Sequence, residues 1–331
     1  MAERSLSGCD YALHFEGVNC QNSSRGVIIE ARSLQGKVKC IMRTKTFVII
    51  SFIAILVLLA TACGQSPSPD KAKLTVAVSI VPQETFVKVI AGELVEVVTM
   101  IPPGSSVETY SPNPQQLQAF SDSSIYFTMG VPSEEANILP KAKDFNKNLK
   151  IVSLAEHTAL AYPDLEISPG ERDPHIWLSP KRVKVMIDII AEELSLIDPE
   201  NKSTYNNNAE DYKKQLDEAD EVIKESLKNI KTKTFIAYHP AFGYFADDYG
   251  LTMIALEEEG KEATPQSFRD VIDIAKEQGI KVIFYQAEVD SRQSEAFAAE
   301  IGGKTQQIAP LAADYIENLK RMADTFREVL E

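Results

Sequence analysis

Two series of alternating strand-like and helix-like segments, separated by a stretch with no strand signal, constrain this 331-residue chain more than any other feature. In the first series LTVAVSI (74–80), VEVVTMI (95–101), IYFTMG (125–130) and LKIVSLA (149–155) are short apolar runs rich in Val and Ile, the signature of buried strands. Between them, 82–93 and 112–123 carry apolar residues at helical spacing. The second series restarts at TFIAYH (234–239) and continues with LTMIALE (251–257), KVIFYQAE (281–288) and KTQQIAPL (304–311). Segments 242–250, 264–279 and 292–302 read as its helices, the second opening Thr264-Pro265 as cap and first turn. Strands alternating with helices predict parallel sheets, so each half is expected to be an α/β lobe.

From Lys181 to Lys231 the texture changes. Tyr205, Ala209, Tyr212, Leu216, Ala219, Ile223 and Leu227 recur every three or four residues, which predicts one helix of about 25 residues, ~37 Å long. Its stripe is too short and too mixed for a coiled coil, so a rigid strut between two lobes is expected. A last amphipathic helix, 312–330, presents Tyr315, Leu319, Met322, Phe326 and Leu330 on one face. With 44% hydrophobic and 25% charged residues the chain has enough apolar material for two cores. Its net charge of −14 disfavours nucleic acid, whose phosphates call for a basic surface, and is compatible with gathering cations.

The N-terminal part departs from this pattern. From Met42 the chain reads MRTKTFVIISFIAILVLLATAC: Arg43 and Lys45, an apolar run from Thr46 to Leu59, then small residues before Cys63. That order is a secretory signal ending in a cysteine that would be acylated, with residues 42–62 removed and 63–73 as a polar tether. The apolar run is at the short end for a membrane span. Residues 1–41 lack periodicity and precede a sound start at Met42, so they are expected to be a mis-assigned extension. Without residues 1–62 the chain carries 27 Lys/Arg against 44 Asp/Glu, a net of −17, and no cysteine besides Cys63. The expected location is the outer face of the cytoplasmic membrane, lipid-anchored. Two lobes on a tether are the plan of a solute-binding protein, with the ligand between the lobes at strand C-termini.

Three loops at strand ends concentrate the chemistry. IPPGSSVETYSPNP (101–114) holds Glu108, ERDPHIWLSP (171–180) holds His175 beside the single Trp, and AYHPAFGYF (237–245) holds His239. A carboxylate and two imidazoles on separate loops can supply three ligands to a borderline divalent cation such as Zn²⁺ or Mn²⁺. Taken singly, each is more often a structural or solvated residue. His157 reads as a surface residue, Glu257 to Glu259 as a solvated turn with one candidate to support a ligand, and Trp177 and Tyr110 as packing groups.

The segments SIVPQETFVKVIAGELVEVVTMIPPGSSVETYSPNPQQL, DPHIWLSP, YHPAFGYFADDYGL, EEEGKEATPQSFRDVI and IKVIFYQAEVDSRQSEAFAAEIG resemble, in order, the metal-binding lipoproteins of zinc and manganese ABC importers. The resemblance runs from about residue 74 to 331. It implies two Rossmann-like lobes (74–180 and 233–331), each a mostly parallel four-stranded sheet with flanking helices, joined through a helical region (181–232). It also implies a metal ion between the lobes, delivered by a monomer to a membrane permease powered by a cytoplasmic ATPase. Carried over by position, the family's second and third histidines fall on His175 and His239, while its first falls on Glu108. The family's late Asp ligand falls on Ala309, which cannot bind, so Glu288 or Asp290, or a water, is the candidate for the fourth place. Gln286 occupies the site of a family Glu. A Glu-His-His set is harder than three imidazoles, and the His-rich loop of many zinc members is replaced by the acidic PDLEISPGERD (163–173). Zn²⁺ is placed slightly ahead of Mn²⁺. Two other readings stay open: a binder of an organic or chelated-metal ligand, and a zinc enzyme. The chain shows no HExxH, nucleophile elbow or Gly-rich phosphate loop, so no enzyme is expected.

Overall fold

Both halves fold to the same strand order, and that repetition places every candidate ligand. The computed structural model describes residues 73–257, 263–288 and 292–331. In the first half, strands β1 (Leu74–Val78), β2 (Val95–Thr99), β3 (Ile125–Thr128) and β4 (Lys150–Ser153) form a sheet of order β2-β1-β3-β4. All of its pairings are parallel. Helices α1 (Val81–Ala91), α2 (Pro114–Ser121), α3 (Leu139–Phe145) and α4 (Leu154–Ala161) flank these strands. A small antiparallel ribbon, β5 (Glu166–Ser168) with β6 (Glu171–Arg172), follows.

Two helices then run without an intervening strand, α5 (Pro180–Ile197) and α6 (Lys202–Leu227). The second half repeats the first with β7 (Thr234–Ala237), α7 (Gly243–Tyr249), β8 (Thr252–Ala255), α8 (Pro265–Gln278), β9 (Val282–Tyr285), α9 (Arg292–Glu300), β10 (Lys304–Gln307) and α10 (Tyr315–Leu330). Its order, β10-β9-β7-β8, is again parallel throughout. Numbered within each half, both sheets read 2-1-3-4. Each therefore reverses direction beside its first strand, and a ligand site is expected beyond the strand C-termini there.

The expected strut is α6, 26 residues long, and it buries the seven residues its spacing singles out, Tyr205 through Leu227. α5 departs from the sequence reading, which saw only one helix in this region. Val183, Met186, Ile187, Ile190 and Leu194 form its buried stripe, Pro180 occupies its first turn, and the Ser179 side chain accepts from the Arg182 N–H. Caps set several other ends. Asn113 and Gln116 form a reciprocal capping box at α2, and Thr264 accepts from Ser267 N at α8, as the Thr-Pro pair predicts. α8 ends at Gly279 with φ +69°, a left-handed conformation that glycine adopts without a Cβ clash.

One apolar core runs through both lobes and the connecting helices, and a smaller one lies within the second lobe around Ile236, Leu256, Ile283 and Phe297. Where the lobes meet, the Phe86 ring stands edge-on to Tyr315 with centroids 4.9 Å apart. Trp177 Nε1 donates to the Pro310 carbonyl at 2.9 Å, and the Tyr315 hydroxyl donates to the Trp177 carbonyl at 2.5 Å. Thr85 on α1 reaches the Ala313 carbonyl at 2.6 Å. Trp177 is thus a packing group, as expected. Among the described residues no helix is long and apolar enough to cross a membrane, and the signal region with Cys63 lies outside them.

Phe326 on α10 is the hub of the second lobe's aromatic core, with ring centroids 4.7 Å from Phe235, 4.8 Å from Phe284 and 5.4 Å from Phe245. Truncation to alanine would leave a cavity among these three rings. Phe326→Ala is expected to lower unfolding stability by about 3–5 kcal/mol, measured by urea titration of the metal-free protein.

Candidate metal centre

Each ligand candidate is delivered by a different piece of chain. The loop after β2 carries Glu108. Its path is set where Met100 and Ile101 N–H groups extend the strand pairing to Val78 and Ser79 carbonyls. His175 opens a single 3₁₀ turn, Ile176–Leu178, whose three side chains are all buried. His239 follows β7, at the C-terminal end of the second lobe's first strand. Beside it, the Leu256 and Glu257 N–H groups pair with the Ala237 and Tyr238 carbonyls, which brings Glu257 alongside His239.

The result is one cluster. Ligand atoms of Glu108, His175 and His239 all lie within 4.8 Å of one another. The two imidazole Nε2 atoms are 3.2 Å apart, and Glu108 Oε1 is 3.5 Å from His239 Nε2. Two nitrogen ligands at ~2.05 Å from a tetrahedral Zn²⁺ are themselves ~3.3 Å apart. The three side chains therefore stand at the spacing of ligands around an ion. Both histidines are buried, at 1% and 4% exposure, while the Glu108 side chain keeps 21%. A cleft of 410 Å³ lined by Glu108, Thr109, Gly130, Arg172, His239 and Pro240 opens beside them.

Each imidazole is oriented by a buried acid. His175 Nδ1 lies 2.8 Å from Asp173 Oδ1, and the same oxygen accepts the His175 backbone N–H at 2.9 Å. His239 Nδ1 lies 2.7 Å from Glu257 Oε2. A carboxylate at Nδ1 assigns the proton there and turns the Nε2 lone pair toward the cluster, the usual support for a metal-bound histidine. Asp173 was missed by the sequence reading, although its position two residues before His175 is the available signal. Glu257 is the one of the three acids that supports a candidate ligand, and it is buried at 8% exposure where a solvated turn was expected. Glu258 and Glu259 lie outside the described residues.

Asp173 is itself seated against glycine. A Cβ at Gly243, at the start of α7, would stand 2.4 Å from Asp173 Oδ2. Among the described residues no other candidate joins the cluster. Glu288 is half-buried and its Oε2 has no hydrogen-bond partner. Asp290 and Cys63 lie outside the described residues. His157 hydrogen-bonds the carbonyl of Ser153, the residue that caps the start of α4, at 2.7 Å. Tyr110 donates to Gln116 Oε1 at 2.6 Å and packs within its loop.

The electrostatics reserve a place for a cation. Burial pushes the His239 imidazolium toward deprotonation, but hydrogen bonds to Glu108 and Glu257 outweigh it and raise the pKa to about 9. Burial likewise acts to raise the Glu108 carboxyl, yet His239 and His175 hold it below its ordinary range. Near neutral pH the metal-free His239 therefore carries two protons, with Nε2 facing both Glu108 Oε1 and His175 Nε2. A metal ion must displace the Nε2 proton.

Three outcomes follow from this geometry. Zinc titration at about pH 7.5 in buffers of different ionisation enthalpy should show about one proton released per ion bound. Because the folded-state pKa lies above the ordinary 6.5, the imidazolium stabilises the metal-free fold fully below pH 6.5. That stabilisation is lost as pH rises through about 9, so the metal-free melting temperature should fall across that window. Gly243→Ala, by displacing Asp173 from His175, should weaken zinc binding on the order of 10–100-fold in a chelator competition assay.

Residues 76–329 match the family described as ZnuA, zinc-uptake complex component A, periplasmic. The high-affinity zinc uptake system protein ZnuA of Bacillus subtilis (strain 168) is 27% identical over 305 residues, 84% of this chain and 96% of that protein. The manganese-binding lipoprotein MntA of Halalkalibacterium halodurans is 29% identical over 290 residues, 83% and 95% of the two chains. A crystal structure of ZnuA superposes with a TM-score of 0.74 at 36% identity, covering 78% of this chain and all of that one.

Proposed function

The chain belongs to the family of periplasmic component A of zinc-uptake complexes, and from that premise we propose that it captures a divalent transition metal between its lobes and delivers it to an ABC permease. Glu108, His175 and His239 are the ligands in this reading, with Asp173 and Glu257 supporting the imidazoles. The observation that carries it is the pair of Nε2 atoms 3.2 Å apart, each ring backed by its own buried carboxylate. A hydrolytic centre would need a group poised on a substrate. Here the open side of the cluster faces a cleft, and binding followed by release is the chemistry the set supports.

Zn²⁺ is placed slightly ahead of Mn²⁺. Two imidazoles and one carboxylate suit a borderline ion, and the single hard oxygen keeps Mn²⁺ within reach. Relatives carrying both kinds of name are consistent with that balance. Ala309 offers no side-chain ligand atom, and its carbonyl accepts from Asn318 at 2.6 Å, so a water, Glu288 or Asp290 completes the shell in this reading. The working protein is a monomer held at the outer face of the cytoplasmic membrane through acylated Cys63. Residues 42–62 are its signal, 74–180 and 233–331 its lobes, and 181–232 the helical joint.

Calorimetric titration of metal-stripped protein with Zn²⁺ and Mn²⁺ tests the assignment. Wild type should bind at least one ion tighter than about micromolar, and Glu108→Ala, His175→Ala and His239→Ala should each weaken it by on the order of 100-fold. Wild type that binds neither ion at that level, or alanine variants that bind like wild type, would overturn it.

A further inference from the structure

The three ligand candidates are not held in the same way. Each imidazole has a buried carboxylate of its own, but among the described residues no hydrogen bond from outside the cluster holds the Glu108 carboxylate. Glutamate has three rotatable side-chain bonds, and residues 101–113 form neither helix nor strand. A ligand on such a segment needs its backbone fixed, because a site loosened by about 1 Å loses function.

One short element supplies that restraint on both sides of Glu108. The Ser133 backbone N–H and hydroxyl both donate to the Val107 carbonyl, at 3.1 and 2.7 Å. Four residues later, Asn137 Nδ2 donates to the Tyr110 carbonyl at 2.7 Å. Between these two donors the chain is wound as a π turn, Glu134–Ile138, with the Leu139 N–H bonded to the Glu134 carbonyl. Such widened turns are uncommon and are frequent at functional sites. The turn is anchored in its own right: the buried Glu134 carboxylate accepts the N–H groups of Met129 and Gly130 at 2.7 and 2.6 Å, at the end of β3. The path of restraint therefore runs from the sheet through Glu134 to the π turn, and from Ser133 and Asn137 to the carbonyls flanking Glu108.

We infer that Ser133 and Asn137 are positioning residues for the bound metal, acting through Glu108, an inference that rests on the metal-binding reading above. Neither touches the ion. Ser133 is fully buried and Asn137 half-buried; Asn137→Ala removes the donor to the Tyr110 carbonyl outright, while Ser133→Ala removes the shorter of the two bonds to the Val107 carbonyl and leaves the backbone N–H in place.

A double-mutant cycle tests this. Zinc affinity is measured by competition with a chromophoric chelator for wild type, Ser133→Ala, Asn137→Ala and Asn137→Asp, then for the same three changes in a Glu108→Ala background. The expected result is a loss of roughly tenfold for each change in wild type, little further loss once Glu108 is gone, and metal-free melting temperatures close to the parent's. Equal losses in both backgrounds would mean that the turn supports the fold and not the ligand, overturning the inference while leaving the metal site standing. No loss in either background would also overturn it. Wild type that binds no zinc would instead remove the reading on which it rests. Asn137, at the half-exposed end of the clamp, keeps the test decisive even where Ser133→Ala unfolds.

Discussion

The seam between the lobes is the contact on which everything else depends. Phe86, Trp177, Tyr212 and Tyr315 are buried there in one continuous core, and polar tips on Trp177 and Tyr315 tie the 3₁₀ turn to the second lobe. His175 rides on that turn. His239 lies 64 residues further along and Glu108 belongs to the first lobe, so their atoms converge only while the seam holds the two sheets in register. A metal centre assembled across lobes has no independent existence. Its precision is inherited from apolar packing, of which the Trp177 ring, with its centroid 5.1 Å from that of His175, reaches the cluster.

Around the cluster, charge is arranged so that an ion relieves a conflict already present. Two buried acids at the imidazole Nδ1 atoms and a third at Nε2 crowd negative charge into a place with little water. The extra proton on His239 is the metal-free protein's answer, and a divalent ion is a stronger one. The Ser133–Asn137 clamp adds the complementary element, restraint of a carboxylate that its neighbours attract but do not orient.

Much of the fold was legible because it is local. All eight principal strands lie within the apolar runs, Thr264-Pro265 caps its helix, and the stripe from Tyr205 to Leu227 faces inward as its spacing requires. The readable site was Glu108, His175 and His239, since strand-end loops collect function in parallel sheets. Less legible were α5, whose buried stripe opens among lysines, and the π turn at Glu134, which no periodicity announces. Glu257 looked solvated because it begins a run of three acids. Its burial arises from the pairing of β7 with β8, a long-range event.

By itself the amino-acid sequence determined two parallel-sheet lobes, a helical connection and the identity of the side chains able to bind a metal. These are set by hydrophobic period and side-chain chemistry, which need only near neighbours. Tertiary structure alone decided that Asp173 and Glu257 back the histidines, that Glu288 stands outside the cluster, and that the ligand atoms meet at ionic spacing. Those facts depend on how two sheets of the same strand order pack across an aromatic seam. Distances of 3 Å between residues far apart in the chain are a property of that packing.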